Sequence, residues 1–135
     1  MNSNYVPVKH EGYTWEGCTT LASQNAWLST VLLPLLTNDL ELILIQLGDN
    51  INTDDKLAVF EQGTINFMKF ARQNCPKAKV AWVGEWYSSS TKQSYIANAC
   101  SKTGSKFIDI SDLSTLENKS AVGNIITQDS AVTNT

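Results

Sequence analysis

Residues 41–52 read ELILIQLGDNIN, an apolar-rich run over 42–47 that stops at Gly48-Asp49-Asn50. A short apolar run bounded by a turn suits a strand buried on both faces of a sheet. Open α/β sheets carry their chemistry on polar groups at the carboxyl ends of such strands, so an active site is expected at this turn. Gly48 lets the backbone leave the strand sharply, and the Asn50 amide can donate a hydrogen bond to a developing negative charge.

Outward from this strand, the pattern alternates. Residues 5–9 make a weak strand in which Val6 and Val8 flank Pro7, and the proline demotes it toward an edge. Thr19 or Thr20 caps a helix running through Leu21, Trp27, Leu28, Val31 and Leu32, with Pro34 near its end. After the strand at 40–47, Thr53-Asp54-Asp55 supplies capping groups. Leu57, Phe60, Thr64, Phe67, Met68 and Ala71 then recur at helical steps toward Asn74-Cys75-Pro76, which predicts one amphipathic helix of about five turns. A strand at 78–85, a helix capped within 88–90 and closed by Gly104, and a strand at 106–110 complete the alternation. Residues 112–135 are polar and weakly patterned, with 123–126 the one stretch there expected to be ordered. Strands separated by helices imply a parallel sheet with right-handed crossovers and helices covering both faces.

The 135 residues suffice for one domain, burying roughly 65–70% of the surface of the unfolded chain. With 42% hydrophobic and 17% charged residues and a net charge of -3, the composition is that of a soluble globular protein with no electrostatic attraction for nucleic acid. Lys77 and Lys79 form the densest basic pair and belong to no aromatic-interleaved stripe. The residues at 1–10 do not read as a signal peptide, and no segment reaches the ~20 apolar residues of a membrane helix. Cys18, Cys75 and Cys100 match no metal-ligand spacing, so they read as thiols in a reducing, by default cytoplasmic, compartment; a Cys75–Cys100 disulfide is the alternative. No Gly-rich phosphate loop is present, and no cofactor or metal is expected.

On these residues the chain resembles the SGNH, or GDSL-type, ester hydrolases. ILIQLGDN is similar to the family's third block, a hydrophobic strand followed by Gly-x-Asn and usually Asp; Gly48 and Asn50 match, while Ile51 stands where Asp is commonest. Glu11-Gly12-Tyr13-Thr14-Trp15 resembles the second block, whose glycine gives a backbone donor to the oxyanion hole. Gly12 is the preferred register and Gly17 the alternative. CPKAKVAWVGEW is similar to the family's fourth strand. The resemblance covers about residues 5–112 and implies a three-layer, flavodoxin-like parallel sheet in the order 2-1-3-4-5. It also implies an oxyanion hole at Gly12 and Asn50, and a substrate carrying an acyl or acetyl ester of a carbohydrate or lipid.

The family's Gly-Asp-Ser block, which carries the nucleophile, is absent, and so is the late Asp-x-x-His block; the sole histidine, His10, precedes the second block. Asp129-Ser130 resembles the edge of that late block, with no histidine after it. A serine needs a base to take its proton, and donors without a nucleophile cannot form an acyl-enzyme. The expectation is therefore an incomplete domain, holding the oxyanion side and inactive alone. Without the first strand, the strand at 42–47 is left with an unpaired apolar edge, which predicts dimerisation, a rearranged sheet or a complementing chain.

Each of these residues also has an ordinary reading. Asn50 suits a turn or a helix cap, Gly12 a turn, and His10 an exposed strand end. Asp49, Asp54 and Asp55 imitate an acidic cation site, yet Asp54 and Asp55 flank a helix start, where carboxylates favour the dipole. Tryptophans are usually core, but Trp86 and Tyr87, just past a strand's carboxyl end, are expected with Gly48 and Asp49 to line a cleft for an ester-bearing small molecule or glycan. A noncatalytic binding or structural module on the same fold is the competing reading.

Overall fold

The computed structural model describes residues 9–10, 13–87 and 89–115. Strand β3 is Leu42–Ile45, shorter than the apolar run, because ladder pairing ends before the Gly48 turn. It runs parallel to β4, Lys79–Val83, and β4 runs parallel to β5, Lys106–Ile108, giving a three-stranded sheet in the order β3-β4-β5. Helix α2, Asp54–Ala58, and helix α3, Phe60–Asn74, connect β3 to β4, and helix α4, Ser90–Thr103, connects β4 to β5. The molecule is thus an α/β fold in which helices flank a small parallel sheet.

The side chains of β3 alternate across the sheet, as strand geometry requires. Ile45 is buried and Ile43 packs against the core beside Val80 and Trp82, their register partners. Leu42 and Leu44 point the other way and stay 47% and 59% exposed. An apolar run alone suggested burial on both faces; β3 is instead an edge strand, paired with β4 only among the described residues and open on one face.

Near the amino end, strand β1, Lys9–His10, pairs antiparallel with β2, Tyr13–Thr14, as a ribbon separate from the three-stranded sheet. Of the weak strand expected over residues 5–9, only Lys9 is described, and it belongs to this ribbon and not to the three-stranded sheet. Residues 5–8, Gly12 and the tail from 116 onward, including 123–126 and Asp129-Ser130, lie outside the described residues.

Helix α1, Leu21–Trp27, begins at Thr20, whose Oγ1 accepts from the Ser23 amide at 3.1 Å. The chain then widens to a π-helical turn over Leu28–Leu32 and tightens to a 3₁₀ turn over Leu33–Leu35, where Pro34 lacks the amide needed to continue an α-helix. The single five-turn helix read from the periodicity is broken at Val59, whose φ of -106° and ψ of 3° separate α2 from α3. The apolar spacing continues across that break, so periodicity could not reveal it. Ser89 caps α4, and Gly104 closes it with a left-handed φ of 68°.

The core is aromatic. Trp15 is fully buried, with its ring edge-on to Phe67 at 5.4 Å and 5.8 Å from that of Trp82; Phe67 in turn meets Trp82 edge-on at 5.4 Å. Trp27 adds a contact to Phe67 at 6.0 Å. Helices α3 and α4 pack against each other through Met68 and Cys100 in the same cluster. No disulfide joins the cysteines: Cys18, Cys75 and Cys100 are buried free thiols, which overturns the Cys75–Cys100 alternative. Burial pushes the Cys100 thiol up to about 11, so it stays protonated, and Cys75 donates to the Thr37 carbonyl at 3.2 Å. Among the described residues no helix is long and apolar enough to cross a membrane.

Candidate functional site

Beyond Ile45 the chain leaves the sheet and turns at Gly48, whose φ of 138° is one that a side-chain-bearing residue rarely adopts. The Ile51 amide closes the turn on the Gly48 carbonyl at 3.0 Å. A Cβ at Gly48 would stand 3.4 Å from Phe60 Cζ and 3.7 Å from Glu85 Oε2, so the backbone passes close to both.

Three donors of this turn converge on one acceptor from elsewhere. Glu16 Oε2 accepts from the Gly48 amide at 2.7 Å and from the Asn50 amide at 3.3 Å, while Glu16 Oε1 accepts from Asn50 Nδ2 at 3.2 Å. Glu16 is only 5% exposed. Trp15, beside it in the chain and sunk in the aromatic core, fixes the backbone that delivers this carboxylate. Gly17 follows directly, and its exposed amide donates to Thr14, 2.9 Å from Oγ1 and 3.2 Å from the carbonyl.

A buried ion pair supports the turn from the other side. Lys92, one turn into α4, places its ammonium 2.5 Å from Glu85 Oε2 and donates to the Gly48 carbonyl at 3.1 Å. Glu85 lies two residues past the end of β4, and its other oxygen accepts from the Ser89 amide at 3.4 Å. Burial pushes the Glu85 carboxyl above the ordinary carboxylate range; Lys92 and the Ser89 amide pull it back in part. Asp49 Oδ1 accepts from the Tyr87 amide at 3.1 Å, tying the two loops together.

Gly48, Asp49 and Asn50 thus meet at the carboxyl ends of β3 and β4. Trp86 is half-buried and Tyr87 is 39% exposed on the adjoining loop. The neighbouring cleft, about 280 Å³, is lined by Ile51, Asn52, Thr53, Asp54, Leu57, Ser89 and Lys92, with neither Trp86 nor Tyr87 in its walls. The Thr53 hydroxyl bonds to the Asp55 carboxylate, which in turn accepts from the Lys56 amide at 2.9 Å. These acidic residues serve the helix start, and among the described residues no group of three or more His, Cys, Asp or Glu is placed to hold a metal ion.

Glu16, Glu85 and Lys92 escaped sequence reasoning. A signal existed for Glu85, which follows Gly84 at a strand's carboxyl end, as the chemistry of open sheets favours. Glu16 had none, because 32 residues separate it from Gly48. Neither a protein-family model, nor a curated protein, nor a solved structure matches the chain.

Proposed function

We propose that this chain is the oxyanion side of an SGNH-type carboxylic ester hydrolase, acting on acyl or acetyl esters of carbohydrate or lipid, and inactive by itself. The observation that supports this reading is the convergence of the Gly48 amide, the Asn50 amide and Asn50 Nδ2 on a single negatively charged group. Stabilising an oxyanion requires donors already aimed at one point, and a carboxylate oxygen there stands in for the charge of a tetrahedral intermediate. Inactivity follows from the sequence, which lacks the Gly-Asp-Ser and Asp-x-x-His blocks that would supply the nucleophile and base. Trp86 and Tyr87 offer aromatic surface beside the turn for the substrate's sugar or acyl part. The open edge of β3, with Leu42 and Leu44 exposed, is the surface for a second copy or a complementing strand.

The parent reading frame tests this reading. An upstream Gly-Asp-Ser and a downstream Asp-x-x-His are expected, with 4-nitrophenyl acetate hydrolysed by the longer chain and only at the buffer rate by these 135 residues. In the longer chain Asn50→Ala should lower kcat on the order of 10²–10³-fold. Hydrolysis by the short chain that a serine-directed inhibitor abolishes would refute the inactive reading.

A noncatalytic module on the same fold is the second reading. It is favoured by the burial of Glu16 and its anchor Trp15, which make the carboxylate a fixed occupant rather than a mobile one. A frame that opens at Met1 and closes after Thr135 would decide for it.

A further inference from the structure

We infer that the Gly48-Asp49-Asn50 turn is a receptor for one carboxylate, filled in cis by Glu16, and that a free monocarboxylate of acetate size binds there once the Glu16 carboxylate is removed. Both oxygens are served: Oε2 takes the two backbone amides at 2.7 and 3.3 Å, and Oε1 takes Asn50 Nδ2 at 3.2 Å. All three donors are neutral, so the anion is held by directed hydrogen bonds, as in backbone nests that bind anions.

The donors are organised by contacts that do not involve Glu16. The Ile51 amide and the Lys92 ammonium both bind the Gly48 carbonyl, and the Tyr87 amide binds Asp49. Removing the Glu16 carboxylate therefore leaves the receptor standing. The charges facing it are accounted for on the same corner: Glu85 is neutralised by Lys92 at 2.5 Å, and Asp49 points to the Tyr87 amide.

Size sets the ligand. Glutamate to alanine deletes Cγ, Cδ and both carboxylate oxygens, and those heavy atoms are the heavy atoms of acetate. Because Glu16 is 5% exposed and Trp15 holds its backbone in the core, the space opened is a bounded one rather than a surface dent. Formate underfills it and propionate overfills it. This inference concerns which anion the donors hold and does not rest on the ester-hydrolase reading, so either can fail without the other.

The full chain carrying Glu16→Ala is the test, read by thermal melting in sodium acetate and in sodium chloride at equal ionic strength. The variant should melt below wild type, and acetate should raise its Tm saturably with a Kd on the order of 1–10 mM. Formate and propionate should act more weakly, Glu16→Ala/Asn50→Ala should respond to acetate more weakly than Glu16→Ala, and wild type should not respond. Equal effects of acetate and chloride, or equal responses of wild type and Glu16→Ala, would overturn the inference. If Glu16→Ala does not fold, Glu16→Gln keeps the shape and loses the charge. Its Gly48 amide proton should then move upfield of wild type while the Trp82 indole resonance holds, and an unmoved Gly48 proton would overturn the inference equally.

Discussion

Gly48 and the Glu85–Lys92 pair show how much of this site rests on single residues. Gly48 carries a φ of 138°, so Gly48→Ala should cost about 1–3 kcal/mol, seen as a lower denaturation midpoint at unchanged m. An unshifted midpoint would mean the turn relaxes without strain. Glu85 is 1% exposed and Lys92 9%, so breaking the pair strands a buried charge. Glu85→Gln should cost about 3–5 kcal/mol, while Glu85→Gln/Lys92→Met should lie nearer wild type. The pH dependence follows from the same burial. Because the folded-state pKa of Glu85 is raised, the native state keeps its proton longer than the unfolded state. The Glu85 contribution to stability is thus fully present below the unfolded pKa and is lost as pH rises through the folded one. From about pH 4.5 upward, the Tm of wild type should fall relative to that of the double variant. Parallel Tm profiles would refute the coupling.

At the scale of elements, helix α3 meets α1 where Gly63 faces Gln24. A Cβ on Gly63 would run into the side-chain amide of Gln24, which is 1% exposed, so that amide must shift within a packed interface. Replacing a mid-helix glycine by alanine gains about 1 kcal/mol of helix propensity, whereas overpacking costs about 1–3. Gly63→Ala should therefore destabilise the wild type and stabilise the Gln24→Ala background, a reversal of sign readable by denaturant titration. The same sign in both backgrounds would show that this contact does not set the spacing of α1 and α3. Periodicity marked α3 as amphipathic because its buried Phe60, Phe67, Met68 and Ala71 repeat at helical steps. It could not mark the Val59 break or the π-helical turn after Trp27, since both leave the apolar spacing intact and change only the backbone.

For the whole molecule, the open edge of β3 is the feature with the widest consequence. Leu42 and Leu44 are 47% and 59% exposed beside strand backbone that is unpaired among the described residues, which is the condition for edge-to-edge association. Wild type should associate increasingly with concentration in sedimentation velocity, and Leu44→Lys should remain monomeric. A wild type monomeric throughout would count against this edge as a contact surface.

Local pattern was enough to read the alternation of strands and helices, the parallel character of the sheet, a cap at Thr19 or Thr20, another within 88–90, and the stop at Gly104. Each depends on residues adjacent in the chain or on one period of burial. The position of Gly48 and Asn50 at a strand's carboxyl end was legible for the same reason. What their amides do was not. Tertiary structure decided that Glu16 fills the donor set, that Lys92 reaches Gly48 across 44 residues, and that one face of β3 stays open. A hydrogen bond between distant segments depends on how helices and sheet pack, and packing leaves no periodic trace in the chain.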